Sequence, residues 1–318
     1  MSSMPQPPAS GSRAMTRPKP EDPALTWARE TLGLAPGAQA ESLPGGHGGQ
    51  AWLIHAPDAP GEAVLKLAIP ARDGGDERLI AREAIILKAL APYDLPVPEF
   101  IAVDPLGQLA GTPALLMSRR PGRLLAGTDA IRDAVPAMAS ALAECQLRTH
   151  NLVAGRRWCP WQPAEGYRVP SWSTREALWN RAIRVVQRFQ PPRCDAFIHR
   201  DPHPANLLFE EGAVTAVLDW PHAGRGPSGF DGARMALNLC CLVGLDAAAT
   251  FRAAFEERLA RRHDPLLDVY AACEFLPDLN LDRTATALSI ELSRNQARGR
   301  LENFLADAMR RMTSRRLS

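Results

Sequence analysis

The sequence of 318 residues predicts an α+β fold in two lobes: a small N-terminal lobe with an antiparallel sheet and one helix, and a larger, mainly helical C-terminal lobe. Short apolar runs separated by turn residues, which favour strands, dominate up to residue 117, and helical periodicity dominates after it. A hydrophobic content of 46% can fill two modest cores. We therefore expect the N-terminal lobe over residues 23–117 and the C-terminal lobe over residues 118–318.

Composition argues against several classes of protein. Residues 1–22 are rich in proline and serine and lack an apolar segment, which predicts a disordered tail rather than a signal peptide. The longest apolar run, residues 236–245, is far shorter than the roughly 20 residues that span a bilayer, so no membrane contact is expected. A net charge of +2 without a basic block argues against nucleic acid as a partner. Six cysteines without Cys-x-x-Cys spacing indicate neither a zinc site nor a disulfide framework, and they fit a cytoplasmic protein.

Helical segments are predicted at both ends of the chain. A leading helix is expected over residues 23–34. In the C-terminal lobe, helices are expected over residues 129–150, over residues 173–190 with a Ser173-x-x-Glu176 capping box, and in three segments between residues 247 and 312.

One lysine is conspicuous because the chain is rich in arginine. The sequence has 34 arginines and three lysines, and Lys66 lies in the strand-like run of residues 63–69. A compact ammonium group on a strand suits contact with phosphates, whereas a guanidinium fork would fit differently. The competing interpretation is a solvated lysine on an edge strand. Ahead of Lys66, the glycine-rich residues 43–51 join two short strand-like pieces, and we expect them to cover the phosphates.

The helix predicted over residues 76–90 supplies a carboxylate. Its apolar face also contains Glu83, and a carboxylate on such a face needs a cation because burying an unpaired charge is costly. Lys66 is the expected partner. Glu77 is the competing choice, but its place in the first helical turn is already explained by the helix dipole.

Residues 199–219 carry the most specific pattern in the chain. Asp201 and Asn206 lie five residues apart on a loop, and a β-hairpin that turns at residues 210–212 is expected to bring Asp219 back beside them. Asn206 and Asp219 offer the oxygen ligands that Mg²⁺ prefers, and Asp201 could accept or position the proton of an attacking hydroxyl. This set and spacing are typical of phosphoryl transfer.

The motif His199-x-Asp201-x-His203-x-x-Asn206, followed by Leu218-Asp219-Trp220, resembles the aminoglycoside phosphotransferase and choline kinase family of small-molecule kinases. The resemblance implies a bilobal protein-kinase-like fold that uses Mg²⁺ and ATP, with GTP not excluded. Protein kinases usually carry Lys at the place of His203 and Phe-Gly after the metal-binding Asp. Arg200 departs from the family, where Gly is usual.

The resemblance also assigns roles to individual residues. It implies catalysis by Asp201, metal binding by Asn206 and Asp219, nucleotide binding by Lys66, Glu83, Gly46, Gly48, Gly49, Leu116, Met117, Ser118 and Arg119, and support of the catalytic loop by His199 and Asp231. Residues 116–119 would be the hinge that meets adenine. The glycine loop departs from the full Gly-x-Gly-x-x-Gly pattern, since Ala51 stands at its last position.

The phosphate acceptor is expected to be a small hydroxylated molecule, such as an aminoglycoside or macrolide antibiotic, or else a metabolite such as an amino alcohol or sugar. Candidate acceptor contacts are His203, Asp268 and Glu274. An apolar pocket lined by tryptophans is the alternative to these acidic contacts, and its candidates are Trp158, Trp161 and Trp172. The protein is expected to be a monomer or a homodimer.

Two other functions fit parts of the pattern. His199, Asp201 and a third histidine, His203 or His222, have a spacing that permits an iron site with two histidines and one carboxylate. That reading leaves Lys66 and the downstream motif without a role. The other alternative is a kinase-like binding protein without catalysis, although every polar residue that a catalyst needs is present.

Overall fold

The computed structural model describes residues 22–35, 37–43, 49–55, 62–69, 76–161, 163–188, 193–275 and 281–315. The predicted tail, apart from Asp22, and the loop glycines Gly46 and Gly48 lie outside these residues. The strands are β1 Gln39–Ser42, β2 Gly49–His55, β3 Ala63–Ala68, β4 Phe100–Asp104, β5 Ala114–Ser118, β6 Arg156–Arg157, β7 Ala196–Ile198, β8 Leu207–Glu210, β9 Ala213–Val217 and β10 Gly224–Gly226. The helices are α1 Asp22–Leu32, α2 Arg78–Leu90, α3 Thr128–Asp133, α4 Val135–Thr149, α5 Glu176–Arg188, α6 Phe230–Val243, α7 Leu245–Leu259, α8 Pro265–Glu274, α9 Asp282–Ala287 and α10 Arg294–Arg315.

The N-terminal sheet has two different faces. Its strands run antiparallel in the order β1-β2-β3-β5-β4, and α2 connects β3 to β4. Because side chains alternate along a strand, Leu65 and Leu67 of β3 both point to the outer face, where they pack with Trp27 of α1. Lys66, which lies between them, points to the inner face and reaches α2.

The C-terminal lobe is built around α6, whose 14 residues are all buried. Only Asp231, Arg234 and Asn238 interrupt its apolar sequence, and a helix that is apolar on all sides is buried on all sides. Helices α4, α7, α8 and α10 pack around it. The antiparallel sheet followed by a helical lobe confirms the predicted α+β, kinase-like fold. No helix in the described ranges combines the length and apolar character needed to cross a membrane.

Two small sheets carry the polar motif of residues 199–219. Strand β7, which leads into the motif, pairs antiparallel with β10, and β10 pairs parallel with β6. Strands β8 and β9 form the predicted hairpin. Its turn residues Glu211 and Gly212 have φ angles of 50° and 82°, which a two-residue turn between twisted strands requires.

Three helix predictions differ from the structure. The four helices α7 to α10 lie where three segments were expected between residues 247 and 312. The helix predicted over residues 129–150 is divided into α3 and α4 at Ala134, and Pro136 lies in the first turn of α4, where a missing N–H is tolerated. The predicted capping box at Ser173 is not formed. The Ser173 hydroxyl accepts a hydrogen bond from the backbone N–H of Arg175 at 2.9 Å and donates to Glu302 at 2.5 Å. Helix α5 begins only at Glu176.

Candidate active site

Lys66 joins the two lobes. Its Nζ donates to Oε2 of Glu83 on α2 and to Oδ1 of Asp219 after β9, each at 2.6 Å. The second oxygen of Glu83 accepts the backbone N–H of Trp220 at 3.2 Å. All three side chains are largely buried, with 7%, 2% and 14% exposed for Lys66, Glu83 and Asp219. The structure therefore brings the predicted lysine and glutamate together and adds Asp219 as a third member.

Lys66 and Asp219 stabilise each other's charges, whereas burial, together with the charge of Asp219, raises the pKa of Glu83 in spite of Lys66. Burial alone would lower the pKa of the Lys66 ammonium, but the carboxylates of Asp219 and Glu83 raise it above its usual value. Burial alone would raise the pKa of Asp219, but Lys66 lowers it. Lys66 is therefore a cation and Asp219 an anion at neutral pH, as phosphate and metal binding require.

The catalytic loop is held by Asp231. Its two carboxylate oxygens accept the backbone N–H groups of His199 and Arg200, each at 2.7 Å. The His199 ring donates from Nε2 to the carbonyl of Leu218 at 2.8 Å, and its Nδ1 accepts the N–H of Asp201 at 3.3 Å. Both ring nitrogens are thus engaged in support of the loop. This leaves His199 no lone pair for iron, and no cluster of three metal-ligating side chains occurs within the described residues.

The backbone at Arg200 has a conformation that suits glycine, the usual residue at this position in the family that the motif resembles. Its φ of 75° lies in the left-handed region, which L residues other than glycine rarely adopt. The Arg200 guanidinium donates to the carbonyl of Cys159 at 2.6 Å and lies 3.9 Å from the centre of the Trp161 ring. These contacts offset the backbone strain.

One face of α6 supports the loop through three polar side chains. Asp231, Arg234 and Asn238 recur at the three- and four-residue spacings that share a helix face. Arg234 donates to Oδ1 of Asp201 at 3.1 Å, and Asn238 donates to the carbonyl of Pro202 at 3.1 Å. Arg234 and Asn238 were not among the predicted site residues, although two polar residues at these intervals after Asp231, in an apolar run, are a signal that could have indicated them.

Asp201 is ionised in this setting. Burial alone would raise its pKa, but Arg234, His203 and His222 hold the pKa well below its usual range. A carboxylate of such low basicity is better suited to orient a hydroxyl by accepting its hydrogen bond than to remove the proton early.

Asn206 and Asp219 fit a magnesium ion. The hairpin places Asn206 beside Asp219, since the carbonyl of Asn206 accepts the N–H of Leu218 at 2.9 Å. The Asn206 amide nitrogen donates to the carbonyl of Asp201 at 3.2 Å, which directs its oxygen away from that contact. An amide oxygen and a carboxylate are ligands that Mg²⁺ prefers.

A family model described as "Phosphotransferase enzyme family" matches residues 39–276, which include every element of this site. The chain belongs to the phosphotransferase enzyme family. No curated protein matches its sequence.

Solved structures share the fold of this phosphotransferase. A putative aminoglycoside phosphotransferase from Ralstonia eutropha JMP134 has 18% identity and a TM-score of 0.61, over 90% of this chain and 97% of that one. A mutant of aminoglycoside phosphotransferase APH(4)-Ia, in a ternary complex with ADP and hygromycin B, has 16% identity and a TM-score of 0.57, over 87% and 97%. LicA in complex with AMP has 14% identity and a TM-score of 0.59, over 89% and 96%.

The adenine hinge predicted in the phosphotransferase coincides with the end of β5. Leu116 and Met117 are buried, Ser118 ends this inner strand and Arg119 follows it. The N–H groups of Ser118 and Arg119 donate to the carbonyls of Glu99 and Glu62. A hydrogen bond from the backbone to adenine would therefore need the N–H of a later residue. Gly49, the described member of the predicted glycine loop, opens β2.

Glu274 and Trp161 lie beside the catalytic loop. Glu274 is 4% exposed, at the last position of α8; within the described part of the chain no side chain donates a hydrogen bond to its carboxylate, which the backbone N–H of Trp161 approaches. Burial raises its pKa to about 7, against the opposing charges of Arg234 and Arg200. Trp161 is 45% exposed and its ring lies 5.0 Å from that of His222.

Trp158 and Trp172, the other two candidates for an apolar acceptor pocket, pack into the protein instead, against Phe230 and Trp179 respectively. His203 is buried on the loop, 7% exposed, and contributes to the lowered pKa of Asp201.

Asp268 does not reach an acceptor. Its side chain is fully buried in α8, where it bonds to His263 at 2.7 Å and pairs with Arg311 and Arg252. These cations lower its pKa to about 2, against the effect of burial. The expectation that Asp268 contacts the acceptor is therefore not supported, because the residue belongs to a structural ion cluster.

Proposed function

We propose that the protein transfers the γ-phosphate of ATP, in a reaction that requires Mg²⁺, to a hydroxyl of a small molecule, with an antibiotic such as an aminoglycoside or macrolide as the leading acceptor. The observation that carries the proposal is that Lys66 from β3 pairs with Asp219 after β9, and that Asp201, braced by Arg234, lies near enough to Asp219 for their charges to interact. The free thiols of the six cysteines support action in the cytoplasm.

Each residue has a defined part in this reaction. Lys66, held by Glu83, would bind the phosphates that are not transferred. Asn206 and Asp219 would hold Mg²⁺, which neutralises charge on the phosphate oxygens when bound. Asp201 would accept a hydrogen bond from the acceptor hydroxyl and turn its oxygen toward the γ-phosphorus. A bond between that oxygen and phosphorus forms, the bond to the ADP oxygen breaks, and the hydroxyl proton passes to Asp201 and then to solvent.

The charges around Asp201 bear on the choice of acceptor. Arg200 and Arg234 stand beside Glu274, so this side of the cleft does not present the excess of acid that a polycation would prefer. Neutral macrolides should therefore be tested as acceptors alongside aminoglycosides such as hygromycin B, which is bound in the similar APH(4)-Ia structure. A metabolite acceptor, an amino alcohol or a sugar, is the alternative.

A susceptibility test separates these acceptor classes. A sensitive host would express the wild type, Asp201→Ala, or Asp246→Ala, which changes an exposed aspartate at the start of α7. We expect raised resistance to one antibiotic class with the wild type and the control, and none with Asp201→Ala. Resistance to nothing would remove the antibiotic acceptor and leave a metabolite kinase to be sought with labelled ATP.

Nucleotide use is tested by thermal denaturation with ATP or GTP, with and without Mg²⁺. Ligand that binds only the folded state raises its stability by about 2.7 kcal/mol at 100 times its Kd. A rise with MgATP in the wild type that disappears in Lys66→Met is the expected result. The absence of any rise with either nucleotide would contradict the proposed function.

A further inference from the structure

Arg234 is buried against the catalytic aspartate. Its side chain is 8% exposed, and its Nη2 lies 3.1 Å from Oδ1 of Asp201, whose own side chain is 26% exposed. Among the described residues this is the only hydrogen bond of the Arg234 guanidinium, and its Nε is buried without a partner. The charge of Glu274 also acts on Arg234, but no hydrogen bond joins the two side chains. Burial of a guanidinium with so few hydrogen bonds is costly, so the arginine is poorly explained as a device for stability.

We propose that Arg234 is the positioning residue of Asp201: its guanidinium occupies one carboxylate oxygen and thereby turns the other toward the acceptor hydroxyl. The inference rests on the proposed function. A carboxylate otherwise rotates freely about its last bond, because that torsion is broad. Fixing it before the acceptor arrives gives the hydroxyl a single productive orientation.

Arg234 is held on a rigid element of the fold. It lies one turn after Asp231 on α6, the helix that is buried along its whole length, and its flat face lies 5.2 Å from the centre of the Phe275 ring. The same helix face holds the backbone of residues 199, 200 and 202. Backbone and carboxylate of the loop are therefore set by one rigid body.

Arg252 provides a closely matched control. Its side chain is also 8% exposed, it donates to Asp307 at 3.0 Å, and it lies 5.6 Å from the centre of the Phe304 ring. It belongs to the structural ion cluster of Asp268 and makes no contact with the catalytic loop. Arg234→Met and Arg252→Met thus remove the same buried charge from two places, only one of which bears on Asp201.

The first test measures slow ATP hydrolysis, with water as the acceptor, in the wild type and in R234M, R234K and R252M. We expect R234M to lower kcat by about 100-fold, as misplacement of a catalytic group does, with the KM for ATP unchanged because Lys66 holds the nucleotide. R234K should recover part of the rate, and R252M should keep the wild-type kcat per folded molecule. Equal losses in R234M and R252M would overturn the inference.

The second test needs no turnover. Crystal structures of R234M and R252M should show the Asp201 carboxylate rotated or in several orientations in the first and unchanged in the second. An Asp201 carboxylate with the same single orientation in R234M would overturn the inference. A wild type that neither binds nor hydrolyses ATP would instead refute the proposed function, and the crystal structures would still decide the role of Arg234.

Discussion

Arg200 and Asp219 have left-handed backbones, with φ angles of 75° and 66°, at the two points where the motif turns toward the cleft. Each such residue costs about 1–2 kcal/mol relative to an ordinary conformation. The strain is tolerated because Asp231 and Lys66 fix the neighbouring backbone and side chain. Backbone strain of this kind is concentrated at functional sites.

The strain at Arg200 can be measured with two substitutions. R200A and R200G both lose the contacts with Cys159 and Trp161, but only alanine keeps the steric penalty of a positive φ. We expect R200G to be more stable than R200A by about 1 kcal/mol in urea denaturation. G37A, at a position with open space and no positive φ, supplies the ordinary difference between the two residue types. Equal free energies of unfolding for R200A and R200G would contradict backbone strain at this position.

Glu274 should make stability depend on pH. Its ordinary pKa is 4.5 and burial raises the pKa in the folded protein to about 7. Between these values the folded state keeps a proton that the unfolded chain releases, so the free energy of unfolding falls as pH rises and is lowest above pH 7. E274Q removes this loss and should be more stable than the wild type by up to about 3 kcal/mol at pH 8.

The two proteins should be equally stable near pH 4, where the glutamate is protonated in both states. Urea denaturation across this range measures the difference, and E210Q, at an exposed position on the hairpin, controls for the loss of a surface charge. A benefit of E274Q that is the same at all pH values would argue against a buried acid.

At the scale of elements, the sequence predicted what depends on local pattern and missed what depends on packing. The hairpin of β8 and β9 and the strand of Lys66 follow from turn chemistry and alternation. The role of Glu83 follows from a charge on an apolar stripe. Helix α6 was not predicted as a helix. Asp231 was assigned to the loop through the family resemblance, whereas Arg234 and Asn238 were missed, because nothing local shows that they meet a loop some 30 residues earlier in the chain. Asp268 failed as an acceptor contact for the same reason, since Arg252 and Arg311 reach it from α7 and α10.

Strand β10 should tolerate no side chain at Gly224. A Cβ there would meet the carbonyl oxygen of Arg156 on β6, which is backbone and cannot rotate away. We expect G224A to lower the free energy of unfolding by at least about 1–3 kcal/mol. The substitution should also weaken the pairing of β10 with β7, which leads into the catalytic loop. Chemical denaturation and amide exchange of residues 196–201 measure the two effects. G37A is again the tolerated counterpart, and equal stability of the two variants would contradict the packing.

At the scale of the whole molecule, a buried charge cluster holds the lobes together. The pair of Lys66 and Asp219 links residues 153 positions apart, and Glu83 bonds to the backbone of Trp220. The expected boundary between the lobes after residue 117 stays a prediction. Strand β5 continues to Ser118, and its side chains pack on both sides of the sheet.

Loss of Lys66 should therefore uncouple the lobes. K66M leaves two buried carboxylates without their cation and should lower the free energy of unfolding by about 3–5 kcal/mol. Exchange of amide hydrogens in β3 and α2 should rise more than in α6. K88M removes an exposed lysine that lies 4.2 Å from the centre of the Phe100 ring and should cost about 0.5–1 kcal/mol. A uniform rise of exchange across both lobes in K66M would contradict the coupling.

The inner face of the N-terminal sheet belongs to the same apolar core as the C-terminal helices, whereas its outer face and α1 form a separate one. Leu115 and Met117 of β5 lie in one continuous cluster with Met138 and Leu142 of α4. A hybrid enzyme that joined this N-terminal lobe to the helical lobe of a relative would carry mismatched packing across its seam. Transplanting a new specificity into this scaffold is therefore better done by exchanging individual side chains around Trp161 and Glu274.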